Sequence, residues 1–173
     1  MTDAFWGLIE SARTGTTTCC EVAANATALL ATRPPAEIVA AHQALWRLMD
    51  ASYLDPLWAE AFLIRGGCSD DGFDYCRGWL LTRGRRVFEA AVADPDSLAG
   101  LTLTPDDTGR IGTCEYTLSL VQKAHQAATG EDLPDAAWEP CNRPTLDPSW
   151  DFDFEDKTEM RQRLPRLAAV HLS

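Results

Sequence analysis

The sequence predicts an all-α fold: a compact multi-helix single domain carrying an extended Pro-rich acidic C-terminal strap. Three observations predict it. Apolar residues recur at i, i+3, i+4 and i+7 in segment after segment up to about residue 129, the period of a helix with one buried face. No stretch shows the period-2 alternation of a half-buried strand. Pro134, Pro140, Pro144 and Pro148 fall within fifteen residues and bar regular secondary structure there. With 173 residues and 46% hydrophobic composition the chain suits one core. The expected division is a helical domain over 1–133, with 134–173 forming a Pro-rich acidic strap and terminal helix that pack on the same domain.

The elements follow in order. Thr2 is placed to cap a helix with Phe5, Trp6, Leu8, Ile9 and Ala12 on one side, and Gly15 ends it. A second helix runs from Thr18 through Thr32 with Val22, Ala26, Leu29 and Leu30 inward, and Pro34-Pro35 stops it and starts the third. The third carries Ile38, Val39, His42, Leu45, Trp46 and Met49 and closes near Tyr53. Asp55-Pro56 reads as cap and first helical residue of a fourth, which ends at Gly66-Gly67. Ser69 then caps a helix whose buried face is Phe73, Cys76, Trp79 and Leu80, with Gly84 as its stop. Arg85 to Ala93 is a short helix followed by the Asp94-Pro95-Asp96-Ser97 turn. Residues 101–112, with Pro105, Asp106, Asp107, Gly109 and Gly112, read as a loop. A long helix resumes near Thr113 with Tyr116, Leu118, Leu120, Val121, Ala124 and Ala128 and stops at Thr129-Gly130. A final helix is expected from Asp156 to Ala169, bent or interrupted by Pro165.

Charge is unevenly spread. The net charge is −11, which disfavours nucleic acid and anionic membrane as partners. Residues 131–160 hold ten acidic and two basic side chains, a net charge of −8, interrupted by Trp138, Trp150, Phe152 and Phe154. Large aromatics of this kind anchor a strap to a domain surface, so docking is expected. The Met1-Thr2-Asp3-Ala4-Phe5-Trp6 start has neither a basic n-region nor an apolar h-region, and no run reaches the roughly 18 apolar residues of a membrane span, so a cytoplasmic location is expected. Six cysteines without a C-x-x-C are then expected as thiols. Only Lys123 and Lys157 of the 15 basic residues are lysines, a bias that suggests a GC-rich bacterial source.

The run Gly66-Gly67-Cys68-Ser69-Asp70-Asp71-Gly72-Phe73-Asp74-Tyr75, followed by Arg77-Gly78-Trp79-Leu80 and Gly84-Arg85-Arg86-Val87-Phe88, resembles domain-of-unknown-function family 4240, a bacterial group of helical proteins. Matching pieces include Phe5-Trp6-x-Leu8-Ile9-Glu10, Asp94-Pro95-Asp96-Ser97-Leu98, Thr129-Gly130 before Leu133-Pro134, and Trp150-Asp151-Phe152-Asp153. The resemblance covers most of the chain and implies a single helical domain. It brings no activity, cofactor or catalytic residue.

The sharpest group of candidate residues is Asp70, Asp71 and Asp74 with Arg77. On a helix starting after Ser69, Asp70 and Asp74 share a face, and such carboxylates can hold a divalent cation such as Mg²⁺ or Ca²⁺, or serve as a base. The plainer reading is that acids stabilise the first turn and that Asp74 with Arg77 is a surface pair. Cys68 lies at a helix N-terminus, where a thiol can be activated, although Asp70 and Asp71 oppose it. Ser69 is better a cap than a nucleophile. Arg65, Arg77, Arg83, Arg85 and Arg86 can grip an anion or receive the acidic strap. Trp46, Trp58 and Trp79 are expected in the core, His42 as a hydrogen-bonded residue of the core or its boundary, and His125 in solvent. The function expected is a binding, adaptor or regulatory module that recognises a protein partner through an acidic surface. The alternative is a metal-assisted or acid–base enzyme using Asp70, Asp71 and Asp74, with Glu115 contributing from a distance. No cofactor is indicated.

Overall fold

The computed structural model describes residues 2–103, 105 and 109–172. Asp106 and Asp107 of the expected loop lie outside the described residues. The helices are α1 (Asp3–Ala12), α2 (Cys19–Ala31), α3 (Pro35–Ala51), α4 (Asp55–Arg65), α5 (Asp70–Thr82), α6 (Arg85–Ala93), α7 (Tyr116–Thr129), α8 (Lys157–Arg163) and α9 (Pro165–His171). Short 3₁₀ segments stand at Pro95–Gly100, Asp135–Ala137 and Pro148–Trp150, and no strand occurs among the described residues. The architecture is all-α, as the helical periodicity predicts.

Local chemistry sets the boundaries. Thr18 and Glu21 form a complete capping box at the start of α2: the Thr18 hydroxyl accepts from the Glu21 amide, and the Glu21 carboxylate accepts from the Thr18 amide at 2.9 Å. Gly66 closes α4 at φ +68°, a left-handed conformation that a side chain resists. Ser69 caps α5 by accepting from the Gly72 amide. Two expected caps are not made. Thr2 offers only its carbonyl to Trp6, and Asp55 sits inside α4, one residue past the Leu54 boundary.

The core forms where α2 lies along α7, with α1 and α3 flanking them. Phe5, Ile9, Val22, Ala26, Leu30, Ile38, Leu45, Leu120, Val121 and Ala124 are buried there. The C-terminal α9 buries Leu167 and Ala168 and packs on α4 and on the 3₁₀ turn at Pro95–Gly100. Pro165 restarts the chain as a separate helix, which is the expected interruption.

The strap between α7 and α8 docks, but by a different polarity from that expected of an acidic segment on an arginine cluster. Its backbone amides donate to acids of the domain: Asn142 to Asp50 at 2.6 Å and Asp147 to Asp55 at 2.7 Å. The Asp55 carboxylate thus holds the strap instead of capping α4. Trp150, Phe152 and Phe154 pack against the core, Phe154 edge-on to Phe62 at 6.0 Å. The arginines of α4 to α6 have local partners: Arg65 donates to the Gly72 carbonyl, and Arg85 pairs with Asp3 and Glu89.

Candidate functional site

Helix α5 starts directly after the Gly-Gly bend, as predicted, but its aspartates do not gather into a ligand set. Asp70 and Asp71 are exposed, and Asp74 is half-buried against Arg77. Asp71, Asp74 and Glu115 all act on Tyr75, whose phenol is raised by the Glu115 carboxylate first and by the two aspartates less. The Asp70 charge works against the Cys68 thiolate. Glu115 is exposed at the residue before α7. Among the described residues, the three aspartates are not a set whose oxygens approach closely enough to share an ion.

Arg77 is not the surface partner that its spacing from Asp74 suggests. It is 2% exposed. Its guanidinium donates to the Met49 carbonyl and to Asp74, and it stacks over the rings of Phe73, at 4.6 Å, and Tyr53, at 5.0 Å. Arg143 of the strap stacks on Tyr53 as well, at 4.2 Å, and lies 3.8 Å from Asp50. Tyr53 therefore links the buried arginine to the strap.

Cys68 and Ser69 do not form a nucleophilic pair. Cys68 is half-buried, and burial pushes its thiol up to about 11, with the charges of Glu60 and Asp70 adding to the rise and Arg65 opposing it. The Ser69 hydroxyl is committed to its cap. Trp79 is buried, with the Arg83 guanidinium 5.7 Å from its ring. Arg65 fits because residue 72 is glycine: a Cβ there would stand 2.8 Å from its Nη1.

Three features escaped the sequence reading. The first is a cleft of about 390 Å³ between α3 and the strap, lined by His42, Trp46, Arg47, Asp50, Trp138 and Arg143 among others. Arg47 closes it through a fork onto Glu139, and the Gln43 amide donates to the Ala136 carbonyl at 3.2 Å. His42 is 1% exposed, meets Trp138 edge-on at 4.5 Å, and has neither ring nitrogen hydrogen-bonded. Burial lowers its imidazole, so the ring is neutral at pH 7. Trp46 Nε1 is also buried without a partner.

The second is Glu60 on α4, 1% exposed, with Oε1 lacking a partner and a carboxyl that burial raises to about 8. It lies near Cys68 and the buried Cys76, whose thiols its charge raises. The third joins Cys19 and Cys20 of α2 to Cys114, with all three sulfurs within 4.8 Å of one another. His125, expected in solvent, is buried too: Thr129-Gly130 turns the chain back so that the Glu131 carbonyl lies 2.9 Å from its Nδ1.

No helix among the described residues is long and apolar enough to cross a membrane. Comparison with curated proteins and with solved structures gave no match. The family model described as "Protein of unknown function (DUF4240)" matches residues 1–127, which takes in α1 to α6 and most of α7 and stops short of the strap. With the helical core that carries the Gly-Gly-Cys-Ser bend lying inside that match, the chain belongs to the DUF4240 family of proteins of unknown function.

Proposed function

We propose that this protein is a binding or adaptor module that recognises a basic protein partner through the acidic outer edge of its strap. The observation that carries the proposal is an alternation over residues 150–155. Trp150, Phe152 and Phe154 are half-buried, and Asp151, Asp153 and Glu155 between them are exposed. Rings anchor the segment, and the carboxylates between them are left to solvent along its bend and turn. The strap is held to the domain by the Asn142 and Asp147 amides and by the Glu139 carboxylate on Arg47, and among the described residues no hydrogen bond ties Asp151, Asp153 or Glu155 to the domain. A row of like charges on a docked scaffold steers a cationic partner and loses strength with salt.

The test is fluorescence anisotropy with a labelled arginine-rich peptide at low and high ionic strength. Binding that weakens with salt, and is lost in Asp151→Asn/Asp153→Asn/Glu155→Gln but kept in Asp70→Asn/Asp71→Asn, supports the reading. Equal binding by both variants rejects it. A second reading is favoured by the α3–strap cleft that His42, Trp46 and Trp138 line: a small neutral ligand held against their rings. A ligand screen read by the His42 ring resonances, with His42→Phe as control, tests that one.

A further inference from the structure

We propose that Cys19, Cys20 and Cys114 form a three-sulfur site for a soft monovalent cation of the Cu(I) type. The chain builds the site from three elements. The Thr18–Glu21 capping box fixes Cys19 and Cys20 as the first two residues of α2. The Cys114 amide donates to the Tyr75 carbonyl of α5 at 2.9 Å, which pins the segment leading into α7. Glycine at 78 permits that approach, since a Cβ there would stand 2.7 Å from the Cys114 carbonyl oxygen. The Cys19 thiol lies 3.4 Å from the Thr113 carbonyl, closing the set across ninety-four positions of sequence.

Distance and donor type select the ion. A metal about 2.3 Å from each of three sulfurs in one plane places the sulfurs about 4 Å apart. The three thiols already lie within 4.8 Å of one another, so small side-chain rotations suffice. Zn²⁺ closes its shell with four donors, but among the described residues no histidine, carboxylate or further cysteine joins this set. Glu21 is the neighbouring acid, and its carboxylate is spent on the amides of Thr17 and Thr18. Three thiolates without a fourth ligand suit Cu(I), the softest of the common biological ions.

A second, independent observation points to negative charge at this place. Arg83 shares a cleft of about 230 Å³ with Cys19, and its Nε is buried without a hydrogen-bond partner. A thiolate–metal cluster would supply the missing anion. The same cleft gives an ion a route to Cys19, while Cys20 faces a separate opening beside Tyr116 and Lys123.

The experiment is an anaerobic titration of the reduced full-length protein with Cu(I), in competition with a chromophoric Cu(I) chelator. The expected result is one ion per chain with an ultraviolet thiolate-to-metal charge-transfer band and three sulfur neighbours by X-ray absorption. Cys20→Ser and Cys114→Ser should lose the band, and Arg83→Gln should weaken binding about tenfold. Cys68→Ser and Cys141→Ser should leave it intact. Because Cys114 is buried, folding of its variant is checked by circular dichroism, and the half-buried Cys20 gives a variant less exposed to that risk. Equal binding by wild type and Cys20→Ser, or fewer than three sulfur neighbours, overturns the proposal.

Discussion

Asp96 caps the helix that carries Leu167, seventy-one positions further along the chain. Its carboxylate accepts from the Leu167 amide at 2.7 Å and from the Arg166 amide and Nε at 3.0 Å each. The residue preceding α9 is Leu164, which cannot cap, so the first turn of α9 borrows its acceptor from the Pro95–Gly100 turn. The C-terminal helix is thereby tied to the domain by a polar contact as well as by the burial of Leu167.

Asp96→Ala should cost about 2–3 kcal/mol of unfolding free energy, since it strands two amide donors at a buried helix start. Asp96→Asn should cost less, because its amide oxygen still accepts. The pH dependence has a definite sign. Burial alone would raise this carboxyl, but the Leu167 and Arg166 donors outweigh it and hold it below 3.8. Its contribution is therefore present above the unfolded pKa and lost as pH falls through the lower folded value. Denaturant melts of wild type and Asp96→Asn should converge in acid, and a constant gap down to about pH 2 would refute the capping role.

Glu60 should behave in the opposite sense. Its carboxyl is raised from 4.5 to about 8 by burial, so the folded chain prefers it protonated. Stability from this group is complete below about pH 4.5 and declines as pH climbs toward 8, by a few kcal/mol in all. Glu60→Gln keeps the shape without the ionisation. It should remove that slope and leave the variant more stable than wild type near pH 8. Urea midpoints measured from about pH 5 to 8 decide it, with parallel curves for the two proteins as the contrary result.

Arg77→Ala should cost about 3–5 kcal/mol, far beyond the few tenths expected of a surface i, i+3 pair. The loss has three parts: the Met49 carbonyl is left unsatisfied, the Asp74 charge is unpaired, and the packing between Phe73 and Tyr53 is gone. Arg77→Met restores much of the packing and should recover a sizeable share. Equilibrium unfolding of both variants gives the answer, and a cost under about 0.5 kcal/mol for the alanine would return Arg77 to the surface.

The difference between Arg77 as read and as found shows where the sequence stops being informative. The start of α5, its Ser69 cap and its buried Phe73, Cys76 and Trp79 are local matters of period and capping, and they were legible. Whether position 77 faces water depends on Met49 and Tyr53, which arrive from the end of α3, and no window around residue 77 contains them. The thiol set is the same case. Thr18-x-x-Glu21 announces a helix start and so places Cys19 and Cys20, yet nothing near them signals Cys114. Asp70, Asp71 and Asp74 misled in the other direction. Proximity on one turn suggested a shared ion, but among the described residues their carboxylate oxygens do not gather to ligand distance, and Asp74 is committed to the buried Arg77.

The last prediction separates the anchors of the strap from its outward acids. Phe154 is half-buried between Phe62 and Phe152, at ring distances of 6.0 and 5.3 Å, so Phe154→Ala should cost about 1–3 kcal/mol and open the strap to limited proteolysis. Asp153→Asn, one residue away and exposed, should leave stability within about 0.5 kcal/mol and change only the salt dependence of peptide binding. The two variants thus test opposite sides of one segment. If Phe154→Ala were as stable and as protease-resistant as wild type, the rings would not be holding the strap. The regular outward spacing of Asp151, Asp153 and Glu155 would then have no scaffold to maintain it.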